Sequence, residues 1–185
     1  MGDFGINPFD VVIILALAAG LVYGFVRGLV RMVLSLLVLY IAAVLALTFH
    51  VGLGNWIYYA FLLPRQISLG AAFLFILILA SAIINFILSR TYKETELPGV
   101  RQIDQLGGLI VGFVLTSFWI GFAILVLGFF LNASIQAGET PSGLILFFRR
   151  STMVSMFYRF VPVVLATLRP WMPRGLPPEI FTTRL

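Results

Sequence analysis

The chain has 185 residues, of which 61% are hydrophobic and 10% charged, with a mean hydropathy of +1.10. Values this far from a soluble domain exclude a water-soluble globular protein and identify an integral membrane protein. The net charge of +5 does not indicate nucleic acid, because the basic residues flank apolar segments, so anionic lipid headgroups are the expected partner. Cys is absent, which excludes disulfides and thiolate metal sites.

Four apolar stretches follow in order, Phe9–Phe25, Met32–Phe49, Ile67–Leu88 and Leu106–Leu131. About 20 apolar residues cross a ~30 Å hydrocarbon core. The third and fourth meet that length, and the first two are somewhat short. The first is expected to be a retained helix and not a cleavable signal peptide, since Asp3 stands where a basic residue would precede the apolar run, and the run itself contains Asp10. Arg27 and Arg31 then mark either a tight turn between two spans or a re-entrant hairpin. The second helix is expected to run to His50 and to break at Gly52, Gly54 and Asn55. Trp56–Tyr59 reads as an aromatic interfacial anchor.

The third helix carries Asn85 near its far end and leaves the membrane at Arg90. The loop Arg90–Asp104 is strongly polar, with Pro98-Gly99 as punctuation. After the fourth helix comes the polar stretch Asn132–Gly143. In the segment Ser151–Leu168, residues Ser151, Thr152, Ser155 and Arg159 share one side of a helical wheel, opposite Met153, Phe157, Phe160, Val161, Val164, Leu165 and Leu168. Such a helix lies in the membrane surface, and Pro162 predicts a kink or break in it. A fifth span is the rival reading, opposed by Arg149, Arg150 and Arg159. The expected fold is all-α, with four transmembrane helices and a C-terminal amphipathic interfacial helix. Residues 1–131 form the membrane domain, and 132–185 the linker, amphipathic helix and Pro-rich tail.

Charge asymmetry gives the orientation. The connections at Arg27–Arg31 and Arg90–Asp104 share one side and hold Arg27, Arg31, Arg90, Lys93 and Arg101, whereas the N-terminal segment has no basic residue. The positive-inside rule puts these loops in the cytoplasm and both termini outside. The six Arg of the C-terminal tail argue the other way, but count for less if that tail lies on the surface.

Small residues recur every fourth position, as Ala16, Gly20, Gly24 and Gly28, and again as Gly108, Gly112 and Thr116. That spacing lines one helix face and admits a second backbone, from this chain or from another. Arg27, Arg31, Asn85 and Asp104 all fall near one membrane face. Asp104 is expected to pair with Arg27 or Arg31 and pin the fourth helix to the first hairpin, against the alternative that all four snorkel into headgroups. Asp10 is expected at the opposite interface near His50, as a helix cap or as a proton-transfer carboxylate. His50 reads as an interfacial residue, since no second His or Cys completes a metal site. No nucleophile elbow, HExxH or phosphate loop is present, so no catalytic residue, cofactor or metal is assigned and a non-enzyme is expected.

Asp10, then Arg27-Gly28 with Arg31, then Leu34-Ser35-Leu36, resembles the opening of the colicin V production protein (CvpA) family. Asn85-Phe86, and Asp104 followed by Gly108 and Gly112, fit as well, so the resemblance covers roughly residues 8–125. Met32 and Leu115-Thr116 depart from the family's charged positions. The resemblance implies a bacterial inner-membrane protein associated with bacteriocin (toxin) production, biofilm phenotypes and envelope stress. It also implies an outward C-terminus, because some relatives continue into an extracytoplasmic protease. Two functions from different classes are expected. One is a scaffold or accessory subunit binding other membrane proteins, or itself, through the Gly ladders and amphipathic tail. The other is a transport component in which Asp10, Asn85 and Asp104 line a polar route, with Ser35, Ser81, Thr116 and Ser117 as the polar groups at mid-span.

Overall fold

The computed structural model describes residues 7–91, 101–136, 143–168 and 170. All described elements are helices: α1 (Pro8–Arg27), α2 (Leu29–Phe61), α3 (Arg65–Thr91), α4 (Arg101–Gln136), α5 (Gly143–Arg150) and α6 (Thr152–Leu168). The first four are long and apolar enough to cross a membrane. At 20 residues α1 is about 30 Å long, a full crossing, so the first pair is not a short re-entrant hairpin.

Asn7 starts α1, its side-chain oxygen accepting the Phe9 N–H at 3.0 Å, and Pro8 occupies the first helical position where its missing N–H costs nothing. One residue, Gly28, joins α1 to α2. Its φ of +79° suits glycine alone, and its N–H returns to the Gly24 carbonyl at 3.0 Å. α2 then runs 33 residues, about 50 Å, and ends at Leu62 in a left-handed conformation.

The predicted break at Gly52–Asn55 is absent. Glycine inside a helix costs only about 1 kcal/mol, too little to end one that is held by its packing against α3. Gly54 instead serves packing, because a Cβ there would stand 2.8 Å from Leu69 Cδ2 and 3.1 Å from Leu69 Cα. The anchor Trp56–Tyr59 is therefore helical. His50 is enclosed by the bundle rather than exposed on its surface. It is 3% exposed, edge-on to Phe73, with Nδ1 2.9 Å from the Leu47 carbonyl and 3.1 Å from that of Ala46. Two carbonyl neighbours require that Nδ1 carry the proton.

α2 packs most extensively on α3, and α1 on α4, with α2 also against α4. The consecutive helices α1 and α2 touch far less. The core centres on Met32, Ala42, Ala46, Leu47, Phe73, Leu77, Phe122 and Val126. Outward residues such as Val12, Leu15, Val22 and Val26 are large, apolar and exposed, as lipid-facing positions require.

Beyond α4 the chain forms two short helices where one amphipathic helix was expected. α5 holds Ile145 and Phe148 buried, and α6 runs through Pro162 to Leu168. Proline removes one helical hydrogen bond, too little to end a helix held by its neighbours. Thr152, Ser155 and Arg159 are exposed as predicted. Ser151 is buried, because it caps α6: its Oγ accepts the Val154 N–H at 3.1 Å. Ile13, Ile124, Leu131, Ile145, Phe148 and Val154 form a second cluster that seats α5 and α6 on α1 and α4.

Candidate functional site: a polar cleft within the bundle

α1 and α4 meet through their small residues, and the two Gly ladders are spent on each other inside the chain. A Cβ on Gly20 would overlap the Thr116 side chain, with its Cβ 2.6 Å away. One on Gly24 would lie 2.9 Å from the Gly112 Cα, and one on Gly108 would lie 2.9 Å from the Gly28 Cα. Each step of four along α1 meets a step of four back along α4, as antiparallel helices require. Neither ladder is left as a free face for a partner.

At the seam's end stands Asp104. Its Oδ1 accepts the Leu29 backbone N–H at 3.0 Å, and the carboxylate fills the space a Gly28 side chain would take. α4 is thus joined to the first hairpin by a side-chain-to-backbone hydrogen bond at the start of α2, where the helix dipole favours an anion. Arg31, in the first turn of α2, is half-buried and engaged. Arg27 lays its guanidinium over the Tyr23 ring, 4.8 Å from the centroid.

Asp10 sits at the far end of α1 and caps a helix distant in sequence. Its Oδ1 accepts the Ser151 hydroxyl at 2.5 Å and the Met153 N–H at 2.9 Å, while Asn7 Nδ2 donates to the Phe147 carbonyl at 2.7 Å. The two carboxylates at opposite ends of α1 therefore do matching work, each satisfying the N-terminus of another helix.

Because α1 leans on α4, a cleft opens between α1 and α3, floored by α2 and α4. It encloses about 490 Å³ and is lined by Tyr23 and Arg27 of α1, Ser35 and Leu39 of α2, Ser81, Ala82, Asn85 and Phe86 of α3, and Leu115, Thr116 and Trp119 of α4. Three of the four mid-span hydroxyls converge here. Ser117, the fourth, lies in an apolar groove between α4 and α6, where it donates to the Phe113 carbonyl at 2.8 Å. Asn85 Nδ2 donates to the Ser81 carbonyl at 2.9 Å. Ser81 is 5% exposed and its Oγ has no hydrogen-bond partner, alone among buried side-chain polar atoms of the described residues.

Of the residues singled out from the sequence, Gly20, Gly24, Gly28, Asp104, Gly108 and Gly112 form the α1–α4 seam, Arg27 and Asn85 enter the cleft, and Asp10 stands apart with α6. Tyr23 and Trp119 were not anticipated. The i, i+4 pairs Tyr23/Arg27 and Ser81/Asn85 carry a signal, since each puts two polar side chains on one face of a span. Among the described residues no group of His, Asp or Glu is placed to hold a metal.

The family model described as Colicin V production protein matches residues 9–162. The chain belongs to the colicin V production protein family. The match takes in the four spans, α5 and part of α6, and so reaches past the resemblance visible at residues 8–125. With four apolar helices of spanning length, this CvpA-family chain is a multi-pass membrane protein. No curated protein and no solved structure matches it.

Proposed function

We propose that this CvpA-family chain is a non-enzymatic accessory protein of the bacterial cytoplasmic (inner) membrane. It serves the cell envelope, in homeostasis, bacteriocin production or secretion and biofilm formation, by holding a polar ligand in the cleft between its spans. The observation that supports this most is the convergence of Arg27, Ser35, Ser81, Asn85 and Thr116 from all four spans on one cavity. Polar groups are expensive at membrane depth and persist where they act on something. The cleft lies at the Arg27 end of the bundle, the end that the positive-inside rule assigns to the cytoplasm, with both termini outside.

A scaffold is the second reading. The ladders cannot serve it, but the end of α2 can: Trp56, Tyr59 and Phe61 are 63%, 77% and 64% exposed on a helix longer than the hydrocarbon core is thick. Purification in mild detergent with native mass determination separates the two. A particle of this chain alone that retains a small ligand, and loses it in Asn85→Ala, supports the cleft reading. A stoichiometric protein partner, kept in Asn85→Ala and lost in Trp56→Ala/Tyr59→Ala, supports the scaffold.

A further inference from the structure

We infer that the cleft binds the phosphodiester headgroup of a membrane lipid of net negative charge. This rests on the cleft reading proposed above and names its ligand. Arg27 is the one charged side chain among the described residues lining the cavity, and its planar guanidinium matches the paired oxygens of a phosphate. Among the described residues no carboxylate lines the cavity to receive the ammonium of a choline or ethanolamine headgroup, so a zwitterionic lipid leaves one charge unanswered there.

The neutral groups fit the same ligand. A buried serine in a span ordinarily turns its hydroxyl onto the carbonyl one turn back, and Ser81 does not. Its hydroxyl lies enclosed at the cleft wall as an unmet donor, which a side-chain rotation would bring onto a ligand oxygen. Asn85 spends one N–H on the Ser81 carbonyl and keeps the other. The volume of about 490 Å³ falls in the range of small-molecule sites and far exceeds one phosphate ion, leaving room for a glycerol.

The cleft is also placed for a lipid. Its mouth lies between α1 and α3, which make little contact with each other, so it opens sideways toward the bilayer. From Ser81 to the end of α3 at Thr91 is about 15 Å along the helix, the depth of one leaflet. Leu39, Phe86, Leu115 and Trp119 alternate with the polar groups, as suits the junction of headgroup and acyl chain.

The absence of Cys makes a single reporter clean. Ser35→Cys protein, reconstituted in phosphatidylcholine vesicles with and without phosphatidylglycerol, is treated with a small water-soluble thiol reagent. The expected result is labelling in phosphatidylcholine that slows about tenfold with phosphatidylglycerol. Adding Arg27→Gln removes the protection at an unchanged melting temperature, and adding Arg149→Gln/Arg150→Gln/Arg159→Gln does not. Equal labelling in both vesicles, or protection lost with the tail arginines instead, overturns the lipid site while leaving the cleft reading standing. Equal protection by millimolar inorganic phosphate in phosphatidylcholine overturns the lipid source and assigns the same groups to a soluble phosphate. No labelling in any vesicle overturns the accessible cleft itself.

Discussion

Asp104 accepts the backbone N–H of Leu29 at 3.0 Å, so a carboxylate from the first turn of α4 caps the first residue of α2. A serine or asparagine beside the helix would ordinarily fill that role. Here Gly28 has no side chain to offer, and α4 supplies the acceptor from across the bundle. Asp104→Ala leaves the amide without its acceptor and is expected to cost about 2 kcal/mol. Asp104→Asn keeps an oxygen in place and is expected to cost about half as much. Reversible unfolding in mixed micelles measures both, and equal losses would show that the hydrogen bond is not the source.

At the other end Asp10 performs the same task for α6, together with the Ser151 hydroxyl. Asp10→Ala and Ser151→Ala are each expected to loosen α5 and α6 from α1. The double variant should lose about 1 kcal/mol less than the sum, because the two share one network. Protease sensitivity around residues 143–151, followed alongside unfolding, reports the loosening. Strictly additive losses would place the two groups in separate interactions.

Glycines in α2 and α1 are expected to respond oppositely to the same substitution. Gly52 has nothing within 4 Å of a Cβ, so Gly52→Ala should gain about 0.5–1 kcal/mol from helix propensity. Gly24→Ala drives a methyl into the Gly108 carbonyl and to within 2.9 Å of the Gly112 Cα, both backbone atoms that cannot rotate away. It should cost about 1–3 kcal/mol, and Gly24→Leu should part α1 from α4. A cysteine pair introduced at Ala16 and Ile120 and cross-linked before and after Gly24→Leu gives a direct reading, with unchanged cross-linking counting against the seam.

Tyr158 on α6 is half-buried, and burial pushes its phenol up to about 12. The neutral form is the one the fold prefers, so its contribution is complete below the ordinary tyrosine value near 10 and is lost as pH rises through about 12. An ultraviolet phenolate titration should show a late step that disappears in Tyr158→Phe. Absence of that step would mean that α6 does not seat this ring on the bundle.

Hydropathy and length alone located the four spans, because the bilayer imposes a run of apolar residues that few other constraints blur. The length of α2 was hidden by Gly52 and Gly54, whose small cost inside a helix is outweighed by packing against α3 that no local pattern shows. α5 was hidden by brevity: Leu144–Phe148 is a short apolar run between a polar stretch and two arginines, too brief for periodicity to show. Ser151 looked like one residue of a polar face, and its capping role depends on Asp10, far away in sequence. The ladders were legible as ladders, but only packing shows that α1 takes α4 as its partner. The cleft is a consequence of that choice. Arg27, Ser35, Ser81, Asn85 and Thr116 come from four spans, and no local pattern announces that they share a cavity.

The partnership of α1 with α4 also dictates when the molecule can close. A chain emerging from the ribosome delivers α1, α2 and α3 to the membrane before α4 reaches it. Through all that time the glycine face of α1 and the first amide of α2 wait without their mates. The last span to insert supplies Gly108, Gly112, Thr116 and Asp104 together, and α5 and α6 follow to hold the opposite end at Asp10. A chain cut short after α3 therefore keeps the Gly28 link of α1 to α2 but leaves the glycine face of α1 without the span it packs on.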